Sequence, residues 1–206
     1  MTDYIDPRHK NIAFDQQAAA SFVAGYADAL TACLKSVDSD ALARAIDAVE
    51  TCAQAGGTVY FTGNGGSAAI CDHLVCDFIK GTFHADHPPV QAISLTENVA
   101  LYTAAANDRS FEDVFAFQLE MRMRPQDVLI AVSSSGNSEN ILRAVATANT
   151  LGAATIGLSG FKGGGLKDAA GISLFLEMDN YGVVEDGHSA LLHMMVQMIA
   201  NKRDGR

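Results

Sequence analysis

The chain has 206 residues, enough for one α/β domain and too few for two of ordinary size with a linker. Hydrophobic residues make up 49% of it and charged residues 18%, which predicts a packed core and excludes a largely disordered chain. The net charge of −10, from 14 basic and 24 acidic residues without any basic run, argues against nucleic acid as a partner.

We expect a cytoplasmic protein with no membrane partner. Its apolar stretches are shorter than the ~18 residues that span a bilayer. The N-terminal segment lacks the basic and apolar regions of a signal peptide. The cysteines show neither the spacing of a zinc ribbon nor that of a secreted disulfide framework, so reduced thiols are expected at positions 33, 52, 71 and 76.

Two Ala-rich helices are predicted before any strand, at residues 14–35 and 38–54. Strands are then expected at residues 58–62, 90–95, 128–132, 154–158 and 171–177. Further helices are expected from about residue 68, and at 98–106, 111–123, 139–150 and 184–202, with a turn at 163–165. This alternation predicts one domain over residues 1–206. We expect an N-terminal helical arm at 1–55, and a three-layer αβα sandwich with a mostly parallel, doubly wound sheet at 56–206.

The most informative motif is a serine-rich loop, Ser133-Ser134-Ser135-Gly136-Asn137-Ser138, between a buried-type strand and a helix. Four hydroxyls exceed what one N-cap requires, although capping alone remains the alternative. Hydroxyls and backbone N–H groups that converge at a helix N-terminus favour a phosphate. The loop lacks the terminal Gly-Lys-Ser/Thr of a nucleoside triphosphate loop, so a small phosphorylated molecule is expected.

A second such loop, Gly63-Asn64-Gly65-Gly66-Ser67, follows the strand predicted at 58–62. In open α/β sheets, ligands bind beyond the carboxyl ends of the strands. We therefore expect the two loops to face the same crevice.

Two groups of ionisable residues accompany these loops. His73 and Asp77 are four residues apart on one helix face, where they could bind a metal, share a proton or form a solvated pair. The C-terminal helix carries two carboxylates and two imidazoles, which suit a divalent transition metal or an acid–base pair. They are Glu185, Asp186, His188 and His193. Within this helix, His193 lies among residues expected to be buried, and Glu185 can point to the same broad side.

The remaining polar candidates are less specific. Asn107 and Asp108 follow an Ala-rich segment, where both residues are typical of a helix end. The other histidines, at positions 9, 84 and 87, lie in polar or Pro-rich loops and are assigned no role.

Taken together, the two loops, the Asn-Asp pair and the spacings of His73, Glu185 and His193 resemble the phosphoheptose isomerase family over nearly the whole chain. The resemblance implies the SIS (sugar isomerase) fold and a homotetramer with active sites at subunit interfaces, assembled through the N-terminal helices. It also implies conversion of sedoheptulose 7-phosphate to D-glycero-D-manno-heptose 7-phosphate through an enediol, in heptose synthesis for the bacterial envelope.

The resemblance further assigns site residues. The phosphate would be held by Ser133, Ser134, Ser135 and Ser138. The sugar would be contacted by Asn64, Gly65, Gly66, Ser67, Asn107, Asp108 and Glu185. One divalent metal per subunit, zinc in our expectation, would be bound by His73, Asp77, Glu185 and His193. Asp77 would be the base at carbon and His193 the acid that moves protons between oxygens.

Three positions depart from the family pattern. Asp77 stands where the family carries Glu, and a shift of one methylene can lower a rate about a hundredfold. Glu185 stands where the family carries Gln, which adds a negative charge that should tighten a divalent cation. The family carries an arginine after the helix that holds His73 and Asp77. This arginine is missing here, and Lys80 is its nearest substitute.

Two other functions stay open. One is a non-catalytic SIS protein that resembles the replication-initiator-associating adaptors, and the other is an isomerase of a different sugar phosphate. Those adaptors tend to lose the acid–base residues, so the presence of His73, His193 and a carboxylate at position 77 favours an enzyme. A sugar-phosphate-sensing regulator is less favoured, because no helix-turn-helix segment is attached.

Overall fold

The computed structural model describes residues 18–206. Two helices precede the first strand, as predicted: α1 (Ala19–Lys35) and α2 (Ser39–Gln54). The start of the helix predicted at 14–35 lies in part outside the described residues. Helix α2 begins where the Asp38 carboxylate accepts hydrogen bonds from the backbone N–H groups of Asp40 and Ala41. This is the usual way in which an N-cap satisfies the open end of a helix.

Five strands form one sheet in which every pairing is parallel, with the order β2-β1-β3-β4-β5. They are β1 (Thr58–Gly63), β2 (Gln91–Ser94), β3 (Val128–Ser133), β4 (Ala154–Ser159) and β5 (Ile172–Phe175). All six residues of β3 are buried, as expected for a parallel strand covered on both faces. The chain moves from β1 to β2 on one side and then crosses to β3 on the other. The strand order therefore reverses between β1 and β3, which confirms the doubly wound sheet.

The helices cover both faces of this sheet. Those after the first strand are α3 (Gly66–Gly81), α4 (Val99–Asp108), α5 (Ala116–Arg122), α6 (Glu139–Thr150), α7 (Gly164–Ala169) and α8 (Tyr181–Arg203). Helices α1, α2, α3 and α8 bury one hydrophobic core against the sheet, and α4 to α7 bury a second core on the opposite face. The predicted three-layer αβα sandwich is thus confirmed.

Three element boundaries differ from the prediction. The helix expected at 111–123 is a 3₁₀ turn (Phe111–Asp113) followed by α5, because the fully buried Val114 and Phe115 interrupt it. The expected turn at 163–165 instead contains the start of α7, whose Leu166 is buried and donates its backbone N–H to the Gly136 carbonyl at 2.9 Å. Helix α8 begins one turn early, since the Asn180 side chain caps it.

Within residues 18–206, no helix has the length and apolar character that a membrane span requires.

The four cysteines are free thiols, as expected, and three of them are buried. Burial raises the pKa of Cys52 to about 11, so this thiol stays protonated.

Candidate functional site

A cavity of about 170 Å³ opens at the carboxyl ends of β1 and β3, where the strand order reverses. Both Gly/Ser loops contribute to it, which confirms that they face the same crevice. Its lining residues are Asn64, Ser67, Val132, Ser133, Ser134, Ser135, Ser138, Tyr181 and Glu185. Gly65 and Gly66 begin α3 beside it, with Gly65 at a φ of 55°.

Two helices point their N-termini at this cavity without a side-chain cap. Gly65 is the N-cap of α3, and the Ser138 side chain makes no capping hydrogen bond at α6. Asp38, Asn98 and Asn180 cap α2, α4 and α8 through side-chain oxygens, whereas α1, α5 and α7 also lack a side-chain cap. What sets α3 and α6 apart is that their two open N-termini meet at one cavity, and helix N-termini attract anions.

The serine loop is held by its neighbours. The backbone N–H of Gly160, after β4, donates to the Ser134 carbonyl at 2.9 Å, and the Gly136 N–H donates to Ser133 Oγ at 3.2 Å. Gly136 has a φ of +67°, and a Cβ there would lie 1.9 Å from the Gly163 carbonyl oxygen. Only glycine suits such a position, so the loop keeps its shape before any ligand arrives.

The cavity contains a buried hydroxyl that can donate a hydrogen bond to a ligand. Ser134 Oγ is buried and has no hydrogen-bond partner within residues 18–206. A buried hydroxyl of this kind calls for a ligand or a water. The Asn64 amide exchanges two hydrogen bonds with Asn140, at 2.8 and 2.9 Å, and so ties the first loop to α6. Sequence reasoning missed Asn140, for which its position in the first turn of α6 was the only signal.

A second group lies further along α3 and α8. His73 Nε2 and His193 Nε2 are 3.2 Å apart, and Asp77 Oδ2 lies 3.6 Å from the first and 3.2 Å from the second. Ligand atoms around a tetrahedral zinc ion are separated by about 3.3 Å. Two imidazoles and one carboxylate with this spacing fit a divalent metal ion. We call these three residues the His/Asp cluster.

The cluster is exposed. The side chains of His73, Asp77 and His193 are 57%, 32% and 38% accessible. The prediction that His193 is buried was therefore wrong, because α8 packs through a different face that carries Leu192 and Met195. The buried histidine of this helix is His188, whose pKa burial lowers to about 4, partly offset by the backbone of Ser159.

The structure does not bring Glu185 into the cluster. Its carboxylate lines the cavity and lies against the start of α3, since a Cβ on Gly66 would meet Glu185 Oε1 at 2.6 Å. Eight residues separate Glu185 from His193, or about 12 Å along the helix axis. Of the four metal-ligand positions that the resemblance implies, three converge in this chain.

Other candidate residues lie elsewhere. Asn107 and Asp108 are exposed in the last turn of α4, where the Asn107 side chain donates to Asp108 at 2.9 Å, and neither lines the cavity. Lys80 is exposed near the end of α3. Asp186 accepts a hydrogen bond from the Tyr26 hydroxyl at 2.6 Å, and burial together with this carboxylate raises the pKa of Tyr26.

Comparison with known proteins agrees with the fold. Residues 25–160 match the SIS domain family. A phosphoheptose isomerase from Rhodospirillum rubrum is 35% identical over 77% of this chain and 84% of its own length. One from Geotalea daltonii is 36% identical over 69% of this chain and 74% of its own.

The solved structure of a phosphoheptose isomerase from Francisella tularensis superposes with a TM-score of 0.81 and 31% identity. The match covers 88% of this chain and 96% of that one. The chain therefore belongs to the phosphoheptose isomerase family of SIS-domain proteins.

Proposed function

We propose that this protein is an aldose–ketose isomerase that converts sedoheptulose 7-phosphate to D-glycero-D-manno-heptose 7-phosphate. The observation that carries the proposal is the placement of two sites along one pair of packed helices. A cavity shaped for a phosphate lies at the N-terminal ends of α3 and α8, and the His/Asp cluster lies further along both. Family membership supports the same activity.

The separation of these two sites suits a long sugar. Ser67 precedes His73 by about 9 Å along α3, and Glu185 precedes His193 by about 12 Å along α8. An extended carbon chain advances about 1.25 Å per bond, so a seven-carbon sugar with a terminal phosphate spans roughly 10 Å. With its phosphate in the cavity, a heptulose would place its reacting carbons near the cluster.

In this arrangement the four serines of the loop bind the phosphate, as the resemblance implies. Asn64, Ser67 and Glu185, with the backbone of Gly65 and Gly66, contact the sugar hydroxyls. Asp77 removes the proton from one carbon and returns it to the next, while His193 moves a proton between the two oxygens. These two groups lie 3.2 Å apart, so both can face one enediol.

We propose that one zinc ion per subunit is held by His73, Asp77 and His193. When bound, it would polarise the sugar carbonyl as a Lewis acid. Glu185 would join as a fourth ligand if its carboxylate turned away from Gly66, which would explain the charge that it adds relative to the family.

We further propose that the chain is one SIS domain over residues 1–206, acts in the cytoplasm and assembles as a homotetramer. Helices before residue 56 would contribute to the subunit contacts. Large apolar side chains are exposed on α1, α3 and α8, which supports this assembly. They include Val23, Ile79, Met194 and Met198. Asn107 and Asp108 would then contact the sugar bound by a neighbouring subunit.

The test is an assay of the purified protein with added zinc or nickel and sedoheptulose 7-phosphate, with the aldoheptose phosphate detected by NMR. We expect turnover and, in D₂O, deuterium at the carbon that receives the proton. The proposal fails if neither this ketose nor any related sugar phosphate is isomerised. The hypothesis of a non-catalytic SIS protein would then be favoured.

A further inference from the structure

The phosphate cavity lacks a positive side chain of its own. None of its lining residues within the described part of the chain is Lys, Arg or His, and one, Glu185, is a carboxylate. A phosphate dianion near that carboxylate would be repelled, since two such charges interact by about 1 kcal/mol or more at contact distance. The loop hydroxyls and helix N-termini supply partial charges only, so a cation from nearby would strengthen the binding of a dianion.

A second cavity of about 430 Å³ adjoins the first. The two share Ser135 of the serine loop and Tyr181 among their lining residues, so they are neighbours. The second cavity is also lined by Asn137, Phe161, Lys162, Gly164 and Asp179. Lys162 therefore lines a cavity that borders the serine loop at Ser135.

The residue before this lysine has an unusual backbone. Phe161 is the only non-glycine residue within 18–206 with a positive φ, at 51°. Such a conformation costs about 1–3 kcal/mol and persists only where its surroundings impose it. Here the Phe161 N–H donates to the Met178 carbonyl at 3.1 Å, and its ring packs on Tyr181 with centroids 4.6 Å apart. The strained residue thus fixes the backbone from which the exposed side chain of Lys162 extends.

We propose that Lys162 is a phosphate-binding residue, whose ammonium group reaches over Ser135 to neutralise the anion held by the serine loop. This inference rests on the phosphate site of the proposed function and adds to it a residue that neither the motifs nor the family resemblance assigns. Asp179 lines the same cavity. Because Lys162 carries a full positive charge, the site would prefer a phosphate dianion to a neutral group of similar size.

The probe is inorganic phosphate, titrated into the full-length protein by calorimetry. We expect Lys162→Ala to weaken binding about fivefold to tenfold, and Lys162→Arg to retain most of the affinity. The matched control is Lys167→Ala, which removes the same charge from a lysine whose Nζ lies over the Phe175 ring, 3.8 Å from its centroid. The difference between the two alanine variants should vanish at about 1 M salt, where the screening length falls to about 3 Å.

The outcomes separate this inference from the proposed function. Equal affinities for the two alanine variants, or no loss in Lys162→Ala, would overturn the role of Lys162 and leave the isomerase proposal intact. Absence of phosphate binding in the wild-type protein would overturn the phosphate site and the role of Lys162 together. Normal phosphate binding with no sugar turnover would contradict the isomerase alone.

Discussion

The serine loop lies beside the N-terminal ends of α3 and α8, and the His/Asp cluster lies further along both helices, yet the two are built in different ways. Ser133 and Ser134 are buried, and the loop is tied to β4 and α7 by backbone hydrogen bonds. The cluster consists of partly exposed side chains on regular helix. The serine loop is therefore part of the fold itself, whereas the cluster is formed by side chains that the fold does not require. Substitutions in the serine loop and in the cluster should therefore have different effects.

The largest effect is expected at Gly136. Gly136 has a positive φ, and Gly136→Ala would place a methyl group 1.9 Å from the Gly163 carbonyl oxygen. The backbone of the serine loop and of the segment around Gly163 must therefore move. We expect a loss of about 4 kcal/mol in the free energy of unfolding, measured by urea denaturation, together with loss of phosphate binding. Gly56→Ala is the matched control, because its φ is +66° and nothing lies within 4 Å of the added Cβ. It should cost about 1 kcal/mol. Similar losses for the two variants would contradict the steric argument.

The next effect comes from the buried His188. Burial lowers the pKa of His188 to about 4, so between the ordinary histidine pKa and this value the unfolded chain binds a proton that the folded chain does not. The stability contributed by neutral His188 is thus full above about pH 7 and is lost as the pH falls towards 4. The loss amounts to about 3 kcal/mol.

Urea denaturation between pH 7 and pH 4 measures this loss, and His188→Gln should flatten that part of the curve. An unaltered slope in His188→Gln would show that His188 is not the group responsible.

Ser134 should affect binding but not stability. Its buried hydroxyl lacks a hydrogen-bond partner among the described residues, so Ser134→Ala should leave the free energy of unfolding unchanged or slightly higher. Phosphate affinity, by calorimetry, should fall about tenfold to a hundredfold, as expected for a hydrogen bond to a charged group. Ser159→Ala removes a hydroxyl that is also buried and unpartnered in that part of the chain, but does not line the cavity. Equal affinities in the two variants would exclude Ser134 as a phosphate ligand.

The smallest effect on stability is expected in the cluster. His73→Ala should change the free energy of unfolding by less than about 0.5 kcal/mol, because the side chain is 57% exposed. The same variant should lose the bound metal, measured as metal content after purification with zinc. Retention of stoichiometric metal would show that the cluster is not the metal site.

Much of the fold followed from local patterns. The alternation of β-rich and helical segments predicted the parallel sheet, since strands joined by helices can pair in parallel on both sides of a central strand. The two Gly/Ser loops could be placed in one crevice because both follow strand ends. Local patterns failed where tertiary contacts override them. Leu166 lies in a helix because its backbone N–H donates to the Gly136 carbonyl of the serine loop and its side chain is buried.

The sequence alone determined the sheet, the serine-rich loop and the i, i+4 pair of His73 and Asp77, because each depends on residues that are close along the chain. Only the tertiary structure decided which residues that are distant along the chain come together. It exposed His193 beside His73 and Asp77, buried His188, kept Glu185 in the cavity and placed Lys162 in a cavity that borders Ser135. Helical periodicity limits the direction of a side chain to one side of a helix, but the packing of α8 against α3 and the sheet sets which side meets solvent, core or ligand.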